Sequence, residues 1–296
     1  LAPAGSLDSI YAAVRCGANA VYVGGSRFSA RANATNFTPE ELEKAVDYCH
    51  LHNVKIYQAV NTLVFDDELS DFLKAAKLSA ELGIDAFIVQ DVGAAEMLKQ
   101  ALPDMKLNAS TQMSIHTKEG ALLAKESGFS RVVLSRELSL ETIKDIASAD
   151  IEVETFIHGA LCMSVSGQCY MSAMIGSRSA DRGLCAQACR LPFSAIKGQE
   201  RSDLSLKDLS GIDFIPELEK AGVTSIKIEG RMKRAEYVAA AVSACRAKAD
   251  GKEPDIDTLL AVFSRSGFTD GYLTGKLGAE MFGTRRKEDV VAAKDV

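Results

Sequence analysis

Four of the seven cysteines fall in one short stretch. Cys162 and Cys169 lie within E-T-F-I-H-G-A-L-C-M-S-V-S-G-Q-C-Y-M-S, and Cys185 and Cys189 within G-L-C-A-Q-A-C-R. Thiolates are the ligands of iron–sulfur clusters and of structural zinc, and either centre needs about four of them converging. The spacing is C-x6-C, fifteen residues, then C-x3-C. Zinc ribbons and fingers carry tight knuckles on both sides, so an iron–sulfur cluster of the 4Fe-4S type fits better than zinc. If the second pair is helical, Cys185 and Cys189 at i and i+4 present both sulfurs on one face. Two other readings stay open. Free cysteine is among the most buried residue types, so these could be small core residues. Disulfides are the other, and against them stand the odd total, the scattered Cys16, Cys49 and Cys245, and the lack of a visible signal peptide. A reducing cytoplasm is the expected setting.

Hydrolytic chemistry has a weaker basis. The sequence holds no H-E-x-x-H and no G-x-S-x-G, and it has four histidines. His50 and His52 sit at i, i+2 on one predicted helix and cannot share a face, and His116 begins another helix. His158 alone lies near the cysteines, where a Cys162–His158 dyad for thiol proteolysis is conceivable, yet such a dyad has no use for Cys169, Cys185 and Cys189.

The elements that must position these residues alternate regularly. Leu1 to Ala4, A-V-Y-V-G, V-K-I-Y-Q-A-V, A-F-I-V-Q, K-L-N-A-S, R-V-V-L-S, I-E-V-E-T-F-I and S-I-K-I-E read as eight strands. Between them lie amphipathic segments over Pro39 to His52, Asp67 to Leu82, Val92 to Leu102, Thr117 to Ser127 and Leu140 to Ser148. Regular βα alternation in eight units predicts an α/β chain closed into a (β/α)8 TIM-type barrel. No G-x-G-x-x-G follows a strand to favour a dinucleotide fold. The expected organisation is a barrel over residues 1–250, with a cysteine-bearing insertion between strands seven and eight, at 159–222, over its mouth. A helical and turn extension follows over 251–296 and carries the basic run Arg285-Arg286-Lys287.

Barrel active sites sit at the C-terminal strand ends. That rule selects Asn61 after strand three, Gln90 and Asp91 after four, and Ser110 and Gln112 after five. It continues with Ser135, Arg136 and Glu137 after six, His158 after seven, and Glu229 and Arg231 after eight. Glu154, Glu229 and Arg231 are candidates for orienting a substrate or a carboxylate-bearing metabolite, and with His158 they form the catalytic shortlist. Asn61, Gln90, Gln112 and Arg136 are expected to bind substrate. The bland alternative for Glu229-Gly230-Arg231 is a salt-bridged turn at a strand end.

Several segments together carry a family resemblance. The stretch E-T-F-I-H-G-A-L-C-M-S-V-S-G-Q-C-Y-M-S resembles the signature of the U-32 peptidase family, the collagenase-like proteins. L-A-P-A-G-S, L-N-A-S-T-Q, V-V-L-S-R-E-L, R-G-L-C-A-Q-A-C-R and S-I-K-I-E-G-R-M-K also resemble that family, over about residues 1–275. Collagenase activity is attributed to some members; others are RNA hydroxylation proteins, acting on a tRNA wobble uridine or on ribosomal RNA, or oxygen-independent ubiquinone hydroxylation factors. The resemblance implies an iron–sulfur cluster and prephenate as an associated metabolite. By position it implies Cys162, Cys169, Cys185 and Cys189 as ligands. Many relatives carry a further cysteine after K-D-L, but here Lys207-Asp208-Leu209 is followed by Ser210, which makes Cys189 the fourth ligand or leaves an open iron. The implied function is iron–sulfur-dependent RNA hydroxylation forming 5-hydroxyuridine in tRNA. A collagenase-like peptidase and a noncatalytic iron–sulfur assembly factor are the alternatives.

Composition bounds the partners. With 296 residues, 47% of them hydrophobic, the chain can bury a single barrel core. No run approaches the roughly 18 apolar residues that span a bilayer. The opening on Leu1 without Met reads as the inside of a first strand. Net charge is −6, but residues 178–234 carry a local excess of +3, leaving −9 for the rest. Arg178, Arg182 and Arg190, with Lys233 and Arg234, are therefore the expected phosphate contacts if RNA is the substrate. Oligomeric state is not legible.

Overall fold

The computed structural model describes residues 1–31, 36–193, 196–197 and 202–284, and the basic run Arg285-Arg286-Lys287 lies outside them. In chain order the barrel elements are β1 (Ala2–Pro3), α1 (Leu7–Arg15), β2 (Ala20–Gly24), α2 (Pro39–Leu51), β3 (Lys55–Val60), α3 (Leu69–Glu81), β4 (Ala86–Val89), α4 (Val92–Ala101), β5 (Lys106–Ala109), α5 (Lys118–Glu126), β6 (Arg131–Val133), α6 (Leu140–Ala147) and β7 (Glu152–Ala160). Then come α7 (Met171–Gly176), β8 (Asp208–Ser210), α8 (Ile215–Lys220), β9 (Ser225–Ile228), α9 (Ala235–Ala249), α10 (Ile256–Val262), β10 (Phe268–Thr269) and α11 (Gly271–Thr274). All eight strands expected from the sequence are present.

Local chemistry sets the helix boundaries. Ser6, Thr38, Asp91, Thr117 and Ser139 each accept a backbone N–H from the first turn of the helix they precede, and Thr38 with Glu41 completes a capping box ahead of Pro39. Helices α1, α3, α5 and α8 run out into Gly17, Gly83, Gly128 and Gly222, all with φ between +87° and +98°. A side chain there would strain the turn back toward the next strand.

Strands β1 to β7 pair in sequence order and in parallel, and β9 pairs parallel to β7. The ring closes where the Leu1 amine donates to the Ile226 carbonyl at 2.7 Å and the Ile228 N–H donates to the Leu1 carbonyl at 3.0 Å. The structure is thus a closed (β/α)8 barrel.

Alternation along the strands builds two cores. Val21, Val23, Ile56, Phe87, Val89, Leu107, Val132 and Val153 face the helices and join the large outer core. Ala20, Tyr22, Tyr57, Ala86 and Ile88 form a separate small cluster inside the ring. Beside them lies a buried ion group: Glu154 accepts from Lys227 Nζ at 2.9 Å and from Arg131 Nη1 at 3.0 Å. The Lys227 ammonium also sits 4.5 Å from the Tyr22 ring centroid.

The insertion leaves the barrel after Ala160 and rejoins it at β8, which runs antiparallel to the end of β7 and pairs Gly159 with Leu209. Within the expected range of 159–222, β8 pairs with the far end of β7, and α8 leads from it into β9. The extension after residue 250 docks beside it, because β10 pairs parallel to β8. Among the described residues no helix is long and apolar enough to cross a membrane.

Candidate functional site

The C-terminal strand ends bring three arginines around one carboxylate. Glu229, one residue beyond β9, accepts from Arg31 Nη2 at 3.3 Å through Oε1 and from Arg136 Nη2 at 3.0 Å through Oε2. Burial alone would raise this carboxyl, but Arg31, Arg136 and Arg231 bring it down to about 2, so it is ionised. Arg136 also donates to the Ala160 carbonyl at 3.0 Å and lies 4.1 Å from the Phe156 ring centroid, which fixes its position between the barrel and the start of the insertion. Arg231 is 4% exposed, and neither Nη1 nor Nη2 has a hydrogen-bond partner among the described residues.

A second, neutral network lies at the ends of β3 and β5 and reaches the residue before Arg31. Asn61 donates to Gln112 Oε1 at 2.8 Å and to Ser110 Oγ at 3.3 Å, and it accepts the Ala30 N–H at 3.1 Å. Ser29 Oγ, Thr62 Oγ1, Gln90 Oε1 and Ser135 Oγ are buried beyond the strand ends without a partner among the described residues. Groups of this kind require water or a ligand.

The insertion is fastened over this mouth by named contacts. Gln168 donates to the Gln112 carbonyl at 2.8 Å, and Glu137 accepts from the Ser166 backbone and hydroxyl. Arg182 makes two bonds to Glu68 at 2.7 and 2.9 Å, donates to the Leu63 carbonyl, and rests 4.4 Å from the Phe65 ring centroid. Arg190 donates to Ser205, Leu206 and Leu161. Two of the arginines expected to meet phosphate are therefore committed to anchoring the insertion; Arg178 is exposed.

The four clustered cysteines share one neighbourhood. Burial first, and then the nearby Cys162, Cys185 and Cys169 against the opposing pull of Arg190, push the Cys189 thiol above its usual range. Glu229 chiefly raises the Arg31 pKa, and Cys185 adds to it. The Met171 N–H donates to Cys169 Sγ and the Gln187 N–H to Cys185 Sγ, each at 3.4 Å. Such bonds stabilise thiolates and tune iron–sulfur centres.

The second cysteine pair does not lie on one helical turn. Gln187 has φ +56°, and only Ala188–Arg190 coil into a short 3-10 turn, so the left-handed residue breaks the i, i+4 relation. Among the described residues no three His, Cys, Asp or Glu side chains stand close enough to hold a single metal ion. One zinc would need every sulfur about 2.3 Å from a common point. A cluster of several iron and sulfide atoms spans a wider gap than one zinc ion and takes about four thiolates, the donor type and number gathered here.

Two shortlisted catalytic groups lie elsewhere. Glu154 is in the middle of β7, not at its end, and belongs to the buried ion group. Lys227 and Arg131 outweigh its burial and hold its carboxyl at about 2. His158 follows the irregularity in β7 between Phe156 and His158 and packs against Tyr237 and Phe268, with neither ring nitrogen bonded. Burial, with Lys233 nearby, lowers its pKa to about 3. The unfolded chain takes up this proton near pH 6.5 and the folded one does not, so stability is present above pH 6.5 and falls as the pH drops toward 3. His158→Phe is expected to flatten the dependence of urea midpoint on pH between 6.5 and 4.5 and to leave activity in place. A variant that retained the wild-type slope would refute this.

Arg31 was not anticipated from the sequence. It lies in the loop between β2 and α2, beyond the few residues that follow the strand, and its distance from Glu229 along the chain conceals the pairing.

Comparison with known proteins places these features in context. The profile of Peptidase family U32 matches residues 5–282. The chain is 42% identical to the 23S rRNA 5-hydroxycytidine C2501 synthase of Escherichia coli (strain K12), over 80% of this chain and 37% of that protein. It is 37% identical to tRNA hydroxylation protein P1 of Bacillus subtilis (strain 168), over 83% of this chain and 61% of that protein. It is 34% identical to a collagenase of Porphyromonas gingivalis (strain ATCC BAA-308 / W83), over 93% and 73%. The chain thus spans less than two thirds of the length of the two RNA-directed relatives.

Proposed function

Because the chain belongs to peptidase family U32, we propose that it is an iron–sulfur-dependent RNA hydroxylation protein whose product is 5-hydroxyuridine in tRNA, with prephenate as its associated metabolite. The observation that carries this reading is that the segment bearing four thiols is seated by Gln168, Glu137 and Arg182 over the three-arginine mouth. Relatives named for RNA hydroxylation support it.

Cys162, Cys169, Cys185 and Cys189 would hold the cluster. When bound, it supplies electron transfer or substrate activation. The chain's own residues do the rest. Arg136 and Arg31 hold Glu229 ionised and fixed in position. The contacts of Arg182, Glu137 and Gln168 keep the insertion seated over the mouth. Asn61 and Gln112 offer amide groups of the kind that read the edge of an unstacked base.

Thiol proteolysis, the reading suggested by the collagenase relative, lacks its dyad. Cys162 Sγ is directed to Ser164 Oγ at 3.9 Å, and the buried, neutral His158 has no polar partner.

The test is nucleoside mass spectrometry of tRNA and ribosomal RNA from cells with and without the gene, joined to iron and acid-labile sulfide content of anaerobically purified protein. Loss of 5-hydroxyuridine from tRNA, with about four irons per chain, is the expected result. Loss of a hydroxylated cytidine from ribosomal RNA would move the substrate; unchanged RNA together with gelatin cleavage would overturn the reading.

A further inference from the structure

One guanidinium ties the two ends of the cysteine-bearing segment together. Arg190 directly follows Cys189 and ends the short 3-10 turn Ala188–Arg190. Its Nη2 donates to the carbonyl of Leu161, the residue before Cys162, at 2.6 Å. Its Nη1 donates to Ser205 Oγ at 3.1 Å and to the Leu206 carbonyl, where the chain returns to β8. A single side chain thus joins the backbones that carry the first and the last of the four clustered thiols.

Among the described residues every acceptor this guanidinium reaches is a carbonyl or a hydroxyl, so no carboxylate is bonded to its charge. Arg182, the other arginine that anchors the insertion, is paired with Glu68, and Asp208, two residues past Leu206, is paired with Arg265. Arginine stays protonated in proteins, so a half-buried positive charge stands at the thiol-bearing segment. Burying a charge without an opposite one is costly, and neutral donors could bond two carbonyls and a hydroxyl at less cost. The charge therefore points to an anion that the chain does not supply as a carboxylate.

We propose that Arg190 is a positioning residue of the sulfur centre, and that its charge offsets the negative charge of the thiolates at Cys162 and Cys189. The role rests on the reading of the four cysteines as cluster ligands. Four thiolates are the largest gathering of negative charge open to this segment, which has Asp181 as its one acid between residues 161 and 193. Reduction of a cluster held there adds a further negative charge, and the potential of such centres follows net charge and the bonds around the sulfurs. A fixed cation favours the reduced form and so raises the potential. The hydroxylation reading thereby gains a residue that sets how readily its centre accepts an electron, without contact with the RNA.

The first experiment alkylates the metal-free full chain at one pH with iodoacetate or iodoacetamide and follows each cysteine by peptide mass spectrometry. Only iodoacetate is charged, so the ratio of the two rates cancels the thiolate fraction and reports the local potential. In Arg190→Gln this ratio at Cys162 and Cys189 is expected to fall about fivefold, the order of one unit charge about 4 Å away in water. Arg190→Lys keeps the charge and is expected to keep the ratio; Arg182→Gln, which removes a cation already paired with Glu68, is expected to leave it unchanged. The second experiment is a redox titration of anaerobically reconstituted protein, followed by electron paramagnetic resonance. Arg190→Gln is expected to weaken one-electron reduction about tenfold, a potential about 59 mV more negative, and Arg190→Lys to match wild type. A clamp without an electrostatic part would act through its fork alone. An unchanged ratio in Arg190→Gln, the same fall in Arg190→Lys, or the same fall in Arg182→Gln would each overturn the proposal. A wild type that takes up no iron would sink the cluster reading, and the alkylation ratio on metal-free protein would still decide the charge balance at the two thiols.

Discussion

Lys227→Met is expected to destabilise the protein by about 3–5 kcal/mol, the cost of breaking a buried charge group by removing one partner. Lys227 and Glu154 are 4% and 1% exposed, inside the ring where no water replaces a lost ammonium. Arg131 remains as a counter-ion, but its guanidinium is shared with Glu152 at the edge of the barrel. Urea unfolding of the single variants and of Lys227→Met with Glu154→Gln gives the measurement. The double variant is expected to recover part of the loss, because the neutral amide no longer needs the cation. Glu154 adds a pH signature. Its folded pKa lies near 2 against an ordinary 4.5, so its contribution is complete above pH 4.5 and is lost as the pH falls toward 2. A cost under about 1 kcal/mol would mean that the group is solvated like a surface pair.

Cys169→Ala and Cys185→Ala are each expected to abolish iron incorporation and to lower RNA hydroxylation more than about 100-fold, since loss of a metal's ligand or its support costs at least that order. Cys16→Ala, Cys49→Ala and Cys245→Ala are expected to keep both. Burial pushes the Cys49 and Cys245 thiols up to about 12, so they stay protonated and inert inside the helical layer. Metal content, the visible spectrum and nucleoside analysis on the same anaerobic preparations decide the matter. Amide exchange adds a structural readout, because ligand binding and local order are coupled: residues 161–193 are expected to exchange faster in Cys185→Ala than in wild type. Full iron in either of the first two variants would remove that cysteine from the ligand set.

The barrel was legible because its strands are short apolar or β-branched runs at regular intervals, and because capping residues such as Thr38 and Asp91 mark the helices between them. Strands β8 and β10 were not. Asp208-Leu209-Ser210 and Phe268-Thr269 have no strand-like pattern of their own and exist only because β7 extends to Ala160 and offers an edge. Periodicity also hid the ion group, since Glu154 and Lys227 occupy alternate positions that in a one-sided antiparallel sheet would face solvent. At the mouth, strand-end position pointed to Glu229, Arg231 and Arg136, whereas Arg31 became visible only once the ring had closed. Arg182 illustrates the opposite failure: local basic charge suggested a phosphate contact, but the nearness of Glu68 is a property of the fold.

The closure of the ring through Leu1 and Ile226 orders events during synthesis. Those two residues are 225 positions apart, and Arg31 and Glu229 are 198 apart. On the ribosome, β1 to β7 emerge long before β9, so the growing chain presents an unpaired sheet edge for most of its translation. The insertion, with its cysteines, leaves the exit tunnel while that edge is still open. The arginine-lined mouth does not exist until the last barrel strand arrives, so a chain halted before residue 228 would carry the four clustered thiols but no pocket beneath them. Synthesis of the cysteine-bearing insertion and formation of the pocket are thereby separated in time by the geometry of one hydrogen-bonded seam.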